Sequence, residues 1–130
     1  MGRAGMTPGE GGDVTDKVVV LVTCGSLAEA RRIARAAVDA RLAACVNIVP
    51  GVVHSIYRWR GKIESANERL LLIKTSRGRL ARLRATVQRL HSYQVPEFIA
   101  LPVSAGSRGY LKWLDECLAN PPRRNKPGKG

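Results

Sequence analysis

At 130 residues with 45% hydrophobic side chains, the chain has the length of one domain and enough apolar mass to fill one core, which excludes wholesale disorder. It carries 22 Lys and Arg against 10 Asp and Glu, a net charge of +12. No apolar run reaches the roughly 18 residues that a membrane-crossing helix needs.

The charge is not spread evenly. The last ten residues hold Arg123, Arg124, Lys126 and Lys129, while the first sixteen set Arg3 against Glu10, Asp13 and Asp16, so most of the excess falls on the stretch between them. A surface of this sign favours an anionic partner without specifying nucleic acid.

In chain order, Met1 to Gly9 lacks the apolar stretch of a secretory leader. Residues 1–16 are Gly-rich and polar, and residues 120–130 carry Pro121, Pro122 and Pro127. Both are expected to be flexible tails around a single domain at 17–119. Lys17 to Thr23 is a short β-branched run that predicts a strand buried on both faces. Ser26 followed by Glu29 forms a capping box and predicts a helix from Leu27, with Ile33, Ala34, Ala37, Val38 and Leu42 at helical spacing.

From Ala43 to Arg60 the pattern turns to strand, interrupted by Pro50-Gly51, which predicts a bulge or bend. Arg60-Gly61 predicts the tip of a hairpin whose second strand runs from Lys62 to Thr75. A second helix is expected over Arg77 to His91, on the stripe Leu80, Leu83, Val87 and Leu90. Phe98 to Val103 is a short strand, and Pro102 marks it as an edge strand because proline cannot donate to the ladder. A last helix is expected over Ser107 to Leu118.

The order β-α-β-β-α-β-α is the split β-α-β pattern: an α+β, ferredoxin-like antiparallel sheet with helices on one face and an added C-terminal helix. Strands this long on one domain leave apolar surface uncovered, so the pattern predicts self-assembly. Cys24, Cys45 and Cys117 are odd in number and lack CxxC spacing. They read as reduced thiols packed as small hydrophobes in a cytoplasmic protein.

Several blocks closely resemble the CutA family of divalent-ion tolerance proteins. They are Leu21-Val22-Thr23-Cys24, Arg41 to Pro50, Ser55 to Glu64, Leu72 to Thr75, His91 to Val103, and Tyr110 to Leu114. Together they cover about 17–118 in the family's order and spacing. Ser92 stands where the family usually has proline, and Gln94 where glutamate is commoner. The resemblance implies a homotrimer in which long hairpin strands of neighbouring subunits pair edge to edge. It also implies a likeness to the PII signalling proteins, and a role in metal-ion tolerance with Cu(II) or another divalent ion as the bound metal.

The metal ligands that the resemblance implies are Cys24, His91 and Glu97. In the split β-α-β topology the end of the first strand, the end of the second helix and the start of the last strand meet at one rim of the sheet, so the three are expected to converge. Thiolate and imidazole suit copper or zinc, and imidazole with carboxylate suits a broader set of divalent ions. The competing expectation is structural: His91 closing a helix, Cys24 a packed thiol and Glu97 the partner of an arginine.

His54 reads as a structural strand residue, and Tyr57, Trp59, Tyr93, Tyr110 and Trp113 as interface and core. A nucleic-acid-binding module would have to use Arg77, Arg79, Arg82, Arg84 and Arg89 and the basic tail, since the inner strands carry no aromatic signature. An enzyme is not expected, because no phosphate loop, paired acid and base or nucleophile motif is present.

Overall fold

The computed structural model describes residues 15–120. The C-terminal tail expectation but for Asn120, and the N-terminal one but for Thr15 and Asp16, therefore lie outside the described residues. The elements are β1 (Lys17–Cys24), α1 (Leu27–Asp39), β2 (Cys45–Ile48), β3 (Val53–Trp59), β4 (Lys62–Ser76), α2 (Leu80–Leu90), β5 (Ile99–Pro102) and α3 (Arg108–Leu118). A single 3-10 turn, Arg77–Arg79, leads into α2.

The sheet is antiparallel in the order β2-β4-β1-β5, with β3 also paired to β4. β1 runs against the second half of β4 from Lys17↔Ser76 to Cys24↔Arg69, and against β5 from Val18↔Pro102 to Leu21↔Ile99. Within the chain, Pro102 does sit on an outer strand. β4 is fifteen residues long and works twice. Its second half is central, and its first half pairs with β3 from Val53↔Glu68 to Trp59↔Lys62. That half forms a hairpin arm reaching beyond the rest of the sheet. The break at Pro50-Gly51 is wider than a bulge: it splits the predicted long strand into β2 and β3, with Gly51 at φ +85°.

Alternation along β1 and β4 sends Val18, Val20, Val22 and Cys24, with Leu71, Ile73 and Thr75, to one face. On that face α1 lays Ala30, Ile33 and Ala37, and α2 lays Leu83 and Val87, all buried in one cluster. The spacing of these residues gives each helix one apolar stripe, and the alanines let α1 lie close on the sheet. Burying side chains of this size is worth about 1.5–3 kcal/mol each for Val, Leu and Ile.

The C-terminal helix belongs to a second, smaller cluster in which Leu114 and Leu118 bury against Ala44. It is tied at its end by polar bonds. Lys17 Nζ meets Asp115 at 2.7 Å, the Arg41 guanidinium donates to the carbonyl of Cys117 at 2.9 Å, and Arg79 donates to the carbonyl of Leu118. Lys17 alternates with the core-facing valines, so α3 covers part of the sheet face that α1 and α2 leave open.

Two termini are set by local chemistry. Ser26 Oγ accepts from the amide of Glu29 at 3.1 Å, which caps α1. α1 ends in a Schellman arrangement, with the Leu42 amide on the Ala37 carbonyl and the Arg41 amide on that of Val38. The left-handed position, which usually takes glycine, is held by Arg41 at φ 58°. At the hairpin tip Arg60 and Gly61 have φ 51° and 81°, the pair of positive angles that a two-residue type I′ turn requires.

Candidate functional site

At the end of the sheet where β1 stops, the β3–β4 hairpin and the loop between α2 and β5 enclose a cavity of about 690 Å³. Its floor is Thr23 and Glu68, its hairpin wall Ser55, Ile56, Tyr57 and Trp59, and its loop wall Tyr93, Gln94, Val95 and Glu97. Glu68 is 8% exposed, and one of its carboxylate oxygens accepts from the Tyr93 hydroxyl at 2.9 Å. Burial and then that bond to Glu68 push the Tyr93 phenol up to about 12. Burial first, and the charge of Glu68 second, raise the Glu97 carboxyl above the usual carboxylate range. Two acids therefore face one space, and among the described residues no Lys or Arg lines it.

His91 anchors the loop wall. Its side chain is fully shielded from solvent. Nε2 lies 2.7 Å from the Thr23 carbonyl, and Nδ1 accepts from the Tyr93 amide at 3.0 Å. These bonds are complete for an imidazole carrying its proton on Nε2. Glu29 stands 3.3 Å from Nδ1 and spends the same oxygen on the Ser92 amide at 2.9 Å. That second bond departs from a full capping box, whose acid would reach back to its own helix. It also gives Ser92 a purpose, since a proline there would have no N–H to donate.

The expected convergence of Cys24, His91 and Glu97 divides along the faces of the sheet. Thr23 and Glu97 border the cavity, and His91 is bonded to Thr23 behind its wall. Cys24 points the other way, into the main core, fully buried with its thiol toward the Ser26 carbonyl at 3.5 Å. Burial pushes that thiol up, away from the thiolate that a metal or a nucleophilic reaction would need. Among the described residues no group of three His, Cys, Asp or Glu side chains is placed to hold a metal. The three candidates thus do not fit a preformed metal centre within one subunit.

Other expectations fall as follows. His54 pairs across the hairpin with Asn67, Nδ1 to Oδ1 at 2.9 Å. Cys45 and Cys117 are free and half-buried rather than buried, while Cys24 is free and buried. Tyr110 and Trp113 stack on each other at 5.5 Å and remain exposed, so they are not core residues. Arg79 is committed to the end of α3, whereas Arg82, Arg84 and Arg89 are exposed. The sequence reading missed Glu68; Tyr57 and Trp59, expected at an interface or in the core, are exposed and line the cavity. A lone acid at the head of the apolar run Leu70–Leu71–Leu72–Ile73 was the available signal.

A split β-α-β sheet with an outreaching hairpin and a C-terminal helix defines the class: a small α+β protein with one antiparallel sheet. The family profile of the CutA1 divalent ion tolerance protein matches residues 18–117. The divalent-cation tolerance protein CutA of Thermus thermophilus is 53% identical over 98 residues, covering 75% of this chain and 94% of that one. Protein CutA of Homo sapiens is 48% identical over 93 residues, covering 72% of this chain, which spans 51% of that protein's length.

Among solved structures, the Thermus thermophilus divalent cation tolerance protein superposes with a TM-score of 0.77 at 50% identity, over 79% of this chain and 99% of that one. The periplasmic divalent cation tolerance protein CutA of Archaeoglobus fulgidus gives 0.76 at 38% identity, over 79% and 99%. The chain belongs to the CutA family.

Proposed function

We propose that the chain is a homotrimeric protein of divalent-ion tolerance or response that binds the ion itself, with Cu(II) the first ion to test. Family membership supports the divalent cation. The observation that carries the reading is the Glu68–Glu97 pair. Two carboxylates, one of them held above its ordinary range by burial and by the other, share a cavity that no Lys or Arg lines among the described residues. A cation placed there relieves both the repulsion and the desolvation.

Glu97 is the accessible ligand of the original three. Oxygen donors accept many divalent ions, and imidazole or thiolate would tune the site toward copper. Recruiting His91 requires its bond to Thr23 or to Tyr93 to open, and recruiting Cys24 requires loss of core packing. Calorimetric titration with Cu(II) of the wild type, Glu97→Gln and His91→Ala tests the assignment. Weaker binding in Glu97→Gln is expected; an unchanged isotherm for that variant removes the cavity, and an unchanged one for His91→Ala removes His91.

The homotrimer is supported by uncovered apolar surface on strand edges. Ile56 is 76% exposed, Ile63 64%, Ile99 49% and Leu101 46%. The cavity itself favours a second reading, a PII-like trimeric signalling or scaffold protein that binds a small molecule or a protein partner. Exposed Arg31, Arg32 and Arg35 on α1, with Arg82, Arg84 and Arg89 on α2, offer a surface for an anionic partner. Steep loss of polyanion binding with salt is the expected signature, and no retention on anionic polymer at physiological salt removes it. Three free cysteines support a reducing, cytoplasmic setting, which fractionation of cells would check. Among the described residues no helix is long and apolar enough to cross a membrane.

A further inference from the structure

The acid pair is only half of the cavity; the other half is aromatic. Tyr57 and Trp59 stand on β3, two residues apart and so on one face of the hairpin. Tyr93 faces them from the loop, its hydroxyl tethered to Glu68. Tyr57 and Trp59 are 44% and 48% exposed and both border the cavity. Val95 extends the apolar surface.

A small hydrated metal ion uses the carboxylates and gains nothing from these rings. A cationic group on an apolar stem uses both. Carboxylates meet the N–H donors or the positive charge, ring faces attract the charge through their quadrupole, and the stem displaces water from the apolar wall. Trp59 already receives a cation, since the Arg60 guanidinium lies 5.5 Å from its ring centroid at the hairpin tip.

The charge distribution sharpens the argument. On a chain of net charge +12, a cavity lined by two acids and, among the described residues, no Lys or Arg is a local reversal of sign. Glu68 is more than nine-tenths buried, and Tyr93 is its one hydrogen-bond donor among the described residues, satisfying one of its two oxygens. Glu97 has neither a hydrogen bond nor an ion pair among the described residues. The expected arginine partner is not found there: the ion pairs among those residues are Lys17 with Asp16 and with Asp115. The carboxylates thus face the space unneutralised. The volume, about 690 Å³, falls in the range of small-molecule sites, roughly 300–1,000 Å³.

We propose that this cavity binds a small organic cation, an ammonium or guanidinium group carried on an apolar body, with Glu97 and Glu68 meeting the charge and Tyr57, Trp59 and Tyr93 enclosing the body. The inference rests on the reading of the cavity as a cation site, and goes beyond it by naming a ligand class that a divalent ion does not represent.

The probe is 2-phenylethylamine, set against 2-phenylethanol, which has nearly the same shape and no charge. Both are titrated calorimetrically into the native oligomer, and Cu(II) is titrated separately without amine. Saturable binding of the amine is expected, with the alcohol about tenfold weaker or more, as a charge-assisted bond implies. Glu97→Gln should weaken the amine by a similar factor, and Trp59→Leu by several-fold. Glu97 is exposed, so that variant is expected to fold; circular dichroism and solution mass confirm it. No amine binding, equal affinity for amine and alcohol, or an unchanged Glu97→Gln isotherm would each overturn the inference. Cu(II) binding lost in Glu97→Gln alongside any of these leaves the metal reading standing, and amine binding without Cu(II) binding separates the two the other way.

Discussion

At the scale of single residues, the most informative side chains occupy positions that their chemistry does not favour. Arg41 takes a left-handed angle that costs an L-residue about 1 kcal/mol, and in return its guanidinium caps the carbonyl of Cys117 at the end of α3. Arg41→Gly removes the strain and the cap together, so it should change stability by less than about 1 kcal/mol. Arg41→Ala keeps the strain and loses the cap, and should cost about 1–2 kcal/mol more. Chemical denaturation of the three proteins checks the order.

Glu97 presents the same kind of trade. An acid whose folded pKa is raised binds its proton more tightly when folded, so stability falls as pH rises from the unfolded carboxylate value through the folded one. At neutral pH ionised Glu97 therefore works against folding. Glu97→Gln should leave the melting temperature equal or higher at pH 7 while reducing cation binding, and a clear drop in melting temperature would show that Glu97 serves structure instead. Tyr93 adds an alkaline counterpart. With its phenol at about 12, stability should decline between the ordinary tyrosine value and that pH, visible as late tyrosinate absorbance on titration.

At the scale of elements, periodicity made most of the fold legible. The stripe Leu83 and Val87, the cap at Ser26, the turn at Arg60-Gly61 and the edge proline at Pro102 all lie where local chemistry puts them. The site was less legible, and the reason is parity. β1 is apolar on both faces, so its sequence carries no alternation to say whether Thr23 or Cys24 faces the helices. The topology brought the right elements to the same rim, but a one-residue phase separated a core thiol from a cavity wall. Glu68 was hidden for a related reason. Its role depends on β4 changing partners midway, from β3 to β1, which nothing local signals. The hairpin tip offers a direct check: Gly61 sits at φ 81° in open space, so Gly61→Ala should cost about 1 kcal/mol through backbone strain alone.

At the scale of the whole molecule, the sheet is finished on the helical face and unfinished at its edges. β2 and β5 are outer strands, and residues 62–68 of β4 pair with β3 alone among the described residues. Unpaired edges are normally blunted by charge, proline or a covering element. Here one edge has Pro102, yet Ile99 and Leu101 on the same strand and Ile56 and Ile63 on the arm stay open. Apolar edges left bare on a chain of charge +12 make sense if another copy covers them, because burial and backbone pairing must outweigh the repulsion of like-charged subunits. For the proposed homotrimer the expected solution mass is three times the 14.1 kDa of one chain. Screening the subunit repulsion with salt should tighten assembly rather than loosen it. Leu101→Lys and Ile63→Lys place charge on the bare edges, and each should shift light scattering toward smaller species. A wild-type monomer at micromolar concentration would leave the exposed strand residues without the partner inferred for them.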